Sequence, residues 1–167
     1  MAATLTEPTV LAAAKDTLYP DLDASTDHYA VTETQFTKSM WGGWEIPDDL
    51  RHRLAPYNAI RLTSGEPDLL GVGMPALEVL NADSDTIPVA VIEAKGHNSD
   101  PSAADVYRGI NQAHSHLSEV NIGYVAAPIQ SISDQARALA RDLNVGVIGV
   151  ESPHDATLVE PARVTGA

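Results

Sequence analysis

The sequence contains no cysteine. Disulfides and thiolate metal sites are therefore excluded, and a structural zinc loses its usual ligands. No apolar run approaches the roughly 20 residues that a membrane helix needs, so no membrane partner is expected. Lysine is scarce: Lys15, Lys38 and Lys95 are the three, against seven arginines. With 23 Asp and Glu against 10 Lys and Arg, the formal net charge is −13. That shortage of basic residues argues against a broad phosphate-binding patch. The opening stretch, MAATLTEPTVLAAAKD, lacks a basic start and is interrupted by Glu7 and Pro8. It does not resemble a signal peptide, and the expected location is the cytoplasm. Several motifs are missing too. Gly71 and Gly73 in LLGVGMP lack the dinucleotide pattern and its following helix. Ser64 and Ser99 stand in no nucleophile elbow. His114 and His116 are two apart, whereas zinc pairs on helices need i and i+4. No internal repeat or low-complexity tract occurs.

What is present is a chain of 167 residues, 44% hydrophobic, long enough for one domain with a real core. The acids are dispersed rather than gathered in a tail. Dispersed acid with scarce lysine resembles the proteins of salt-loving archaea and their viruses, an ordinary acidic protein being the plainer alternative. Concentrated salt screens self-repulsion, with a Debye length of about 3 Å at 1 M. In such salt counterion release contributes little, so the acidity no longer excludes a nucleic-acid partner.

Along the chain, PTVLAAAKDTL (8–18) reads as a helix with Pro8 in its first turn. Residues 27–40, DHYAVTETQFTKSM, read as a second helix despite their β-branched residues. WGGWEIPDD is a loop, in which Trp41 and Trp44 either stack on a base or, as is commoner, anchor the loop. PDDLRHRL (47–54) reads as one or two helical turns. NAIRLTS alternates as a strand. DLLGVG and ALEVLN read as one bent strand or two short ones. IPVAVIEAKG is a strand apolar on both faces, as in the middle of a covered sheet. ADVYRGINQAHSHLSE is a helix with Val106, Ile110, Ala113 and Leu117 at helical spacing. IGYVAAP, SISDQARALARDL and VGVIGVE follow as strand, helix and strand. The resulting division is an N-terminal helical and loop segment over 1–56, a core over 57–151 and a loosely ordered tail over 152–167, all one domain. A strand meander followed by crossovers makes an α/β fold: a mixed central sheet flanked by helices on both faces.

The most informative stretch is VAVIEAKG, 89–96. In a strand Glu93 and Lys95 share a face with Val89 and Val91, while Ala90, Ile92 and Ala94 line the other. An isolated buried charge costs several kcal/mol. A metal ion or an open site would remove that conflict. A second acid, Asp68, follows Pro67 at the mouth of a neighbouring strand. Two carboxylates converging from adjacent strand ends form a hard oxygen site suited to Mg²⁺ or Mn²⁺. A lysine beside them can hold an attacking water or stabilise phosphate charge. A surface Glu–Lys pair at a strand end is the plainer alternative.

Pro67-Asp68 followed by Glu93-Ala94-Lys95 resembles the signature of the PD-(D/E)XK nuclease superfamily, the restriction-endonuclease-like fold. The element order resembles that family's α-β-β-β-α-β core over roughly the last two thirds of the chain. The resemblance implies Asp68, Glu93 and the Ala94 carbonyl as metal ligands and Lys95 as catalytic base or water positioner. Some members carry a Gln on the following helix that reaches the site, and Gln112 resembles it. Arg108, Gln112 and His116 lie at i, i+4 and i+8 on one polar stripe. Arg108 either meets a phosphate or pairs with Asp105. Many members add a Glu from the N-terminal helix, for which Glu33 is the candidate. His97, just after Lys95, fits a solvated loop better than the site. The implied function is Mg²⁺- or Mn²⁺-dependent hydrolysis of DNA phosphodiesters, with a homodimer plausible if both strands are cut. The alternative is an inactive nuclease-like fold serving as a binding or regulatory module.

Overall fold

A computed structural model of the chain describes residues 5–18, 29–32, 68–72, 75–82, 88–96 and 103–165. In chain order the elements are α1 (Glu7–Leu18), β1 (Tyr29–Thr32), β2 (Leu69–Val72), β3 (Val79–Leu80) and β4 (Val89–Ala94). Then follow α2 (Ala103–His116), β5 (Ile122–Pro128), α3 (Asp134–Asp142), β6 (Val145–Ser152), β7 (Asp155–Glu160) and β8 (Ala162–Arg163). The strand expected over 58–64 and the turns over 47–54 lie outside the described residues, as do Pro67 and Glu33.

Six strands form one sheet in the order β1-β2-β4-β5-β6-β7. β2 pairs antiparallel with both β1 and β4, while β4, β5 and β6 are parallel, and β7 returns antiparallel on β6. The chain is thus α/β with a mixed sheet. The two parallel steps need crossovers, and α2 and α3 supply them. β3 and β8 form a separate parallel pair, so DLLGVG and ALEVLN end in different sheets.

Strand alternation sorts the core. Ala90, Ile92 and Ala94 of β4, Ile122, Tyr124 and Ala126 of β5, and Ile148 and Val150 of β6 pack with Val10, Ala13, Ala14 and Leu18 of α1. The intervening residues Val125, Ala127, Val145 and Val147 pack with Val106, Ile110 and Ala113 of α2 and with Ala136 and Ala140 of α3. Each fully buried Ile, Leu or Val contributes about 1.5–3 kcal/mol, which is why the two faces close over α1 on one side and α2 with α3 on the other. Local signals agree with these ends. Ser133 caps α3 by accepting the Ala136 N–H at 3.1 Å, with Asp134 in the first turn and Arg141 in the last. Asn144 just beyond it takes a left-handed φ of 64°. Among the described residues no helix is long and apolar enough to cross a membrane.

Two expectations need correction. Residues 29–32 are not helical: YAVT is a strand paired with β2, Tyr29 opposite Val72 and Thr32 opposite Leu69. Its aromatic and β-branched residues fit a pleated surface better than a helix. The segment from 152 onward is not a loose tail. β7 extends the main sheet, and β8 pairs with β3. The Val164 N–H donates to Leu80 O at 2.9 Å, the Thr165 N–H to Asn121 O at 2.8 Å, and Asn81 Nδ2 to Val164 O at 3.3 Å.

Candidate functional site

The β2–β4 register pairs Leu69 with Ile92. Asp68 stands one residue before that pair, at the end of β2 beside Glu93 and Ala94 of β4. Asp68 is fixed there: its Oδ2 accepts the Ala94 N–H at 2.8 Å. The N–H and C=O of one strand residue point to the same side, so the Ala94 carbonyl opens towards β2 and Asp68 as well.

Glu93 is buried, 4% exposed, on the face covered by α2. Its Oε1 lies 2.7 Å from Nε2 of His116, the last residue of α2 and itself 2% exposed. Burial pushes the Glu93 carboxyl above its ordinary value. The His116 hydrogen bond pulls it down, the Asp68 charge pushes it up, and the charges of His116 and Lys95 pull it down by less. Burial wins.

Lys95 continues β4 by one residue, its N–H donating to Ala126 O at 2.8 Å. Its stem lies along α2 at Gly109. A methyl group built on Gly109 would stand 3.1 Å from Lys95 Cγ and 3.3 Å from Cε. Glycine at 109 therefore leaves the space that the lysine stem occupies. Gly96 is wedged against the first turn of α1, where a methyl group would meet the Glu7 amide and come within 2.5 Å of the Thr6 carbonyl carbon. The end of β4 is thus held between two helices. Beyond it Lys95, Gly96, Asp105, Val106, Ala127, Pro128 and Ser131 line a small cleft. The cleft opens at the carboxyl ends of the parallel strands β4 and β5, where open α/β sheets bind ligands.

Gln112 stands on α2 three residues after Gly109 and four before His116, on the stripe that meets Lys95 and Glu93. Its Oε1 is buried without a hydrogen-bond partner. A buried acceptor left open costs about 1–3 kcal/mol, so this atom invites a donor. Arg108 is exposed and makes no ion pair with Asp105, so the pairing alternative is not realised. Its guanidinium is not among the groups gathered at Glu93.

The structure therefore brings together Asp68, Glu93, the Ala94 backbone and Lys95, and places Gln112 on the helix that packs over them. Glu33 lies outside the described residues. His116 is the site residue that sequence reasoning missed. It appeared as part of a polar stripe, not as a partner of Glu93. The available signal was the cost of burying Glu93, which demanded some partner, together with the helical step from Gln112 to His116.

A magnesium ion fits this donor set. It needs one or two carboxylates and keeps several waters, and Asp68, Glu93 and the Ala94 carbonyl are all hard oxygen donors. Among the described residues no three of His, Asp and Glu gather into a metal-binding cluster. No protein-family model and no curated protein matches this chain.

Proposed function

We propose that this protein is a Mg²⁺- or Mn²⁺-dependent nuclease of the PD-(D/E)XK type that hydrolyses DNA phosphodiester bonds. The observation that carries the reading is the juxtaposition of Asp68 and Glu93 by the β2–β4 register, with Asp68 locked onto the Ala94 amide at 2.8 Å. The order α1, β1, β2, β4, α2, β5 supports a restriction-endonuclease-like core, β3 being an excursion from it.

Asp68, Glu93 and the Ala94 carbonyl would hold the ion. When bound, it lowers the pKa of a coordinated water and offsets charge on the phosphoryl oxygens. The chain's own residues then divide the remaining work. The Lys95 ammonium orients the attacking water or meets developing negative charge on the phosphate. The Gln112 Oε1, otherwise unpartnered, accepts a hydrogen bond from a water or a base at the site. Arg108, exposed on α2, is available to a neighbouring phosphate of the strand. α2 and the end of β4 keep bulk water from Glu93, which strengthens each of these interactions.

The test is a cleavage assay on duplex, single-stranded and branched DNA with Mg²⁺ or Mn²⁺ in molar KCl, the salt in which this acidic surface is screened. Asp68→Ala and Glu93→Ala are expected to abolish cleavage while circular dichroism stays unchanged. Full activity in both variants would sink the reading. A second reading, a nuclease-like fold that binds a partner without catalysis, is favoured by the His116 contact, which already occupies one oxygen of Glu93. In that case Mn²⁺ leaves the thermal midpoint of the wild-type protein unchanged.

A further inference from the structure

We propose that His116 is a positioning residue for the metal site: its Nε2–H holds Oε1 of Glu93 so that Oε2 is presented as the ligand atom. This inference rests on the reading of Asp68 and Glu93 as a metal pair. The geometry behind it is short and dry. The contact is 2.7 Å long, and both side chains are nearly inaccessible, at 3% and 6% exposure. A carboxylate that binds a metal is ionised and only accepts hydrogen bonds, so in the metal-binding form the imidazole Nε2 carries the hydrogen.

A glutamate at a strand end has three side-chain torsions, and each must be fixed before both carboxylate oxygens have defined places. Asp68 solves its own placement through the Ala94 amide. Glu93 has no such backbone partner and takes its anchor from the opposite layer. His116 is well suited to give one. It closes a 14-residue helix whose Val106, Ile110 and Ala113 are buried in the core, so the ring sits on a rigid element. Its carbonyl also accepts the Glu119 N–H at 2.9 Å and the Val120 N–H at 3.0 Å, which fixes the helix end. Hydrogen-bond partners that orient metal-binding carboxylates contribute about 10–100-fold to metal affinity.

The alternative is that His116 only satisfies a buried acid and has no bearing on a ligand. Two substitutions separate these roles. His116→Gln keeps an amide N–H near the place of Nε2. His116→Asn keeps a polar group of similar kind but falls short of Oε1. The measurement is the Mn²⁺ dissociation constant by titration calorimetry in molar KCl, at a temperature where circular dichroism shows each protein folded. His116→Gln is expected to bind Mn²⁺ within about threefold of the wild type, and His116→Asn about 10–100-fold more weakly. Wild-type affinity in His116→Asn would overturn the proposal while leaving the metal site intact. So would equal weakening in both variants, because the rescue by a donor at the Nε2 position would then be missing. No Mn²⁺ binding by the wild type would overturn the metal reading itself, and this inference with it.

Discussion

Among the described residues two glutamates are buried on the face of the sheet that α2 and α3 cover, and they have opposite surroundings. Glu160, 7% exposed, accepts from Arg141 Nη2 at 2.6 Å and Nε at 3.4 Å, and from Arg137 Nη2 at 3.4 Å. The Arg141 hydrogen bond, ahead of the other contributions, holds its carboxyl below the ordinary value. Glu93 has one histidine, a neighbouring Asp68 and a lysine whose stem runs along α2. Burial pushes its carboxyl up. The protein has answered the charge of Glu160 from within and left that of Glu93 partly unanswered. A carboxyl so treated is one for which a further cation would do most.

The largest effect that could break this comparison is a difference in metal response. With Mn²⁺ at about 100 times its dissociation constant, binding stabilises the folded protein by about 2.7 kcal/mol. Glu93→Gln is expected to lose that rise in thermal midpoint entirely, and Glu160→Gln to keep it. If scanning calorimetry finds the same loss in both, the two carboxylates are not functionally distinct.

A smaller effect concerns Lys95. Gly109→Ala adds a methyl group at 3.1 Å from Lys95 Cγ and 2.8 Å from Val125 Cγ2. Displacing a catalytic group by an ångström costs up to about a hundredfold in rate. Gly109→Ala is therefore expected to lower cleavage about 10–100-fold while still folding. Arg141→Ala, beside Glu160, leaves cleavage unchanged. Equal rates in Gly109→Ala and wild type would remove Lys95 from the chemistry.

The smallest effect is confined to Glu160. A group whose folded pKa is depressed contributes stability above its unfolded pKa and loses it as pH falls through the folded one. Its arginines are 41% and 65% exposed, so the contribution is discounted for solvent to about 1 kcal/mol. Glu160→Gln is expected to lose that much at neutral pH, with the deficit shrinking as pH drops below the ordinary glutamate value of 4.5. A denaturant series between neutral and acid pH measures it. A deficit independent of pH would mean that charge is not what stabilises the contact.

The same pair shows what the sequence could convey. Apolar runs at period two, and apolar residues at helical spacing, specify β4, α2, β5, α3 and β6, because burial on both faces of a parallel sheet leaves little choice of pattern. The approach of Asp68 to Glu93 was legible from their separation and the intervening turn. Glu160 was not legible. In DATLVE strict alternation puts Glu160 with Leu158, on the α1 side. The structure pairs Ile148 with Leu158 but Val147 with Glu160, so two residues of β7 oppose one of β6. That bulge turns Glu160 over to face α3. Bulges follow from pairing with a neighbour, which no local pattern encodes. β1 was missed for a related reason: Tyr29–Thr32 is four residues long, too short for its period to outweigh the helix-like run around it.

The β3–β8 pair carries a consequence for the order of assembly. Asn81 and Val164, joined at 3.3 Å, are separated by 83 residues of chain. Doubling a loop adds only about 0.6 kcal/mol to its closure, so the span is a small burden on the finished fold. It weighs instead on timing, because distant contacts are slow to find. During synthesis β3 emerges with no strand to pair with and waits through α2, β5, α3, β6 and β7 before β8 exists. His116 is also synthesised before β8, so the order of synthesis does not make the Glu93 contact wait for the clasp between β3 and β8.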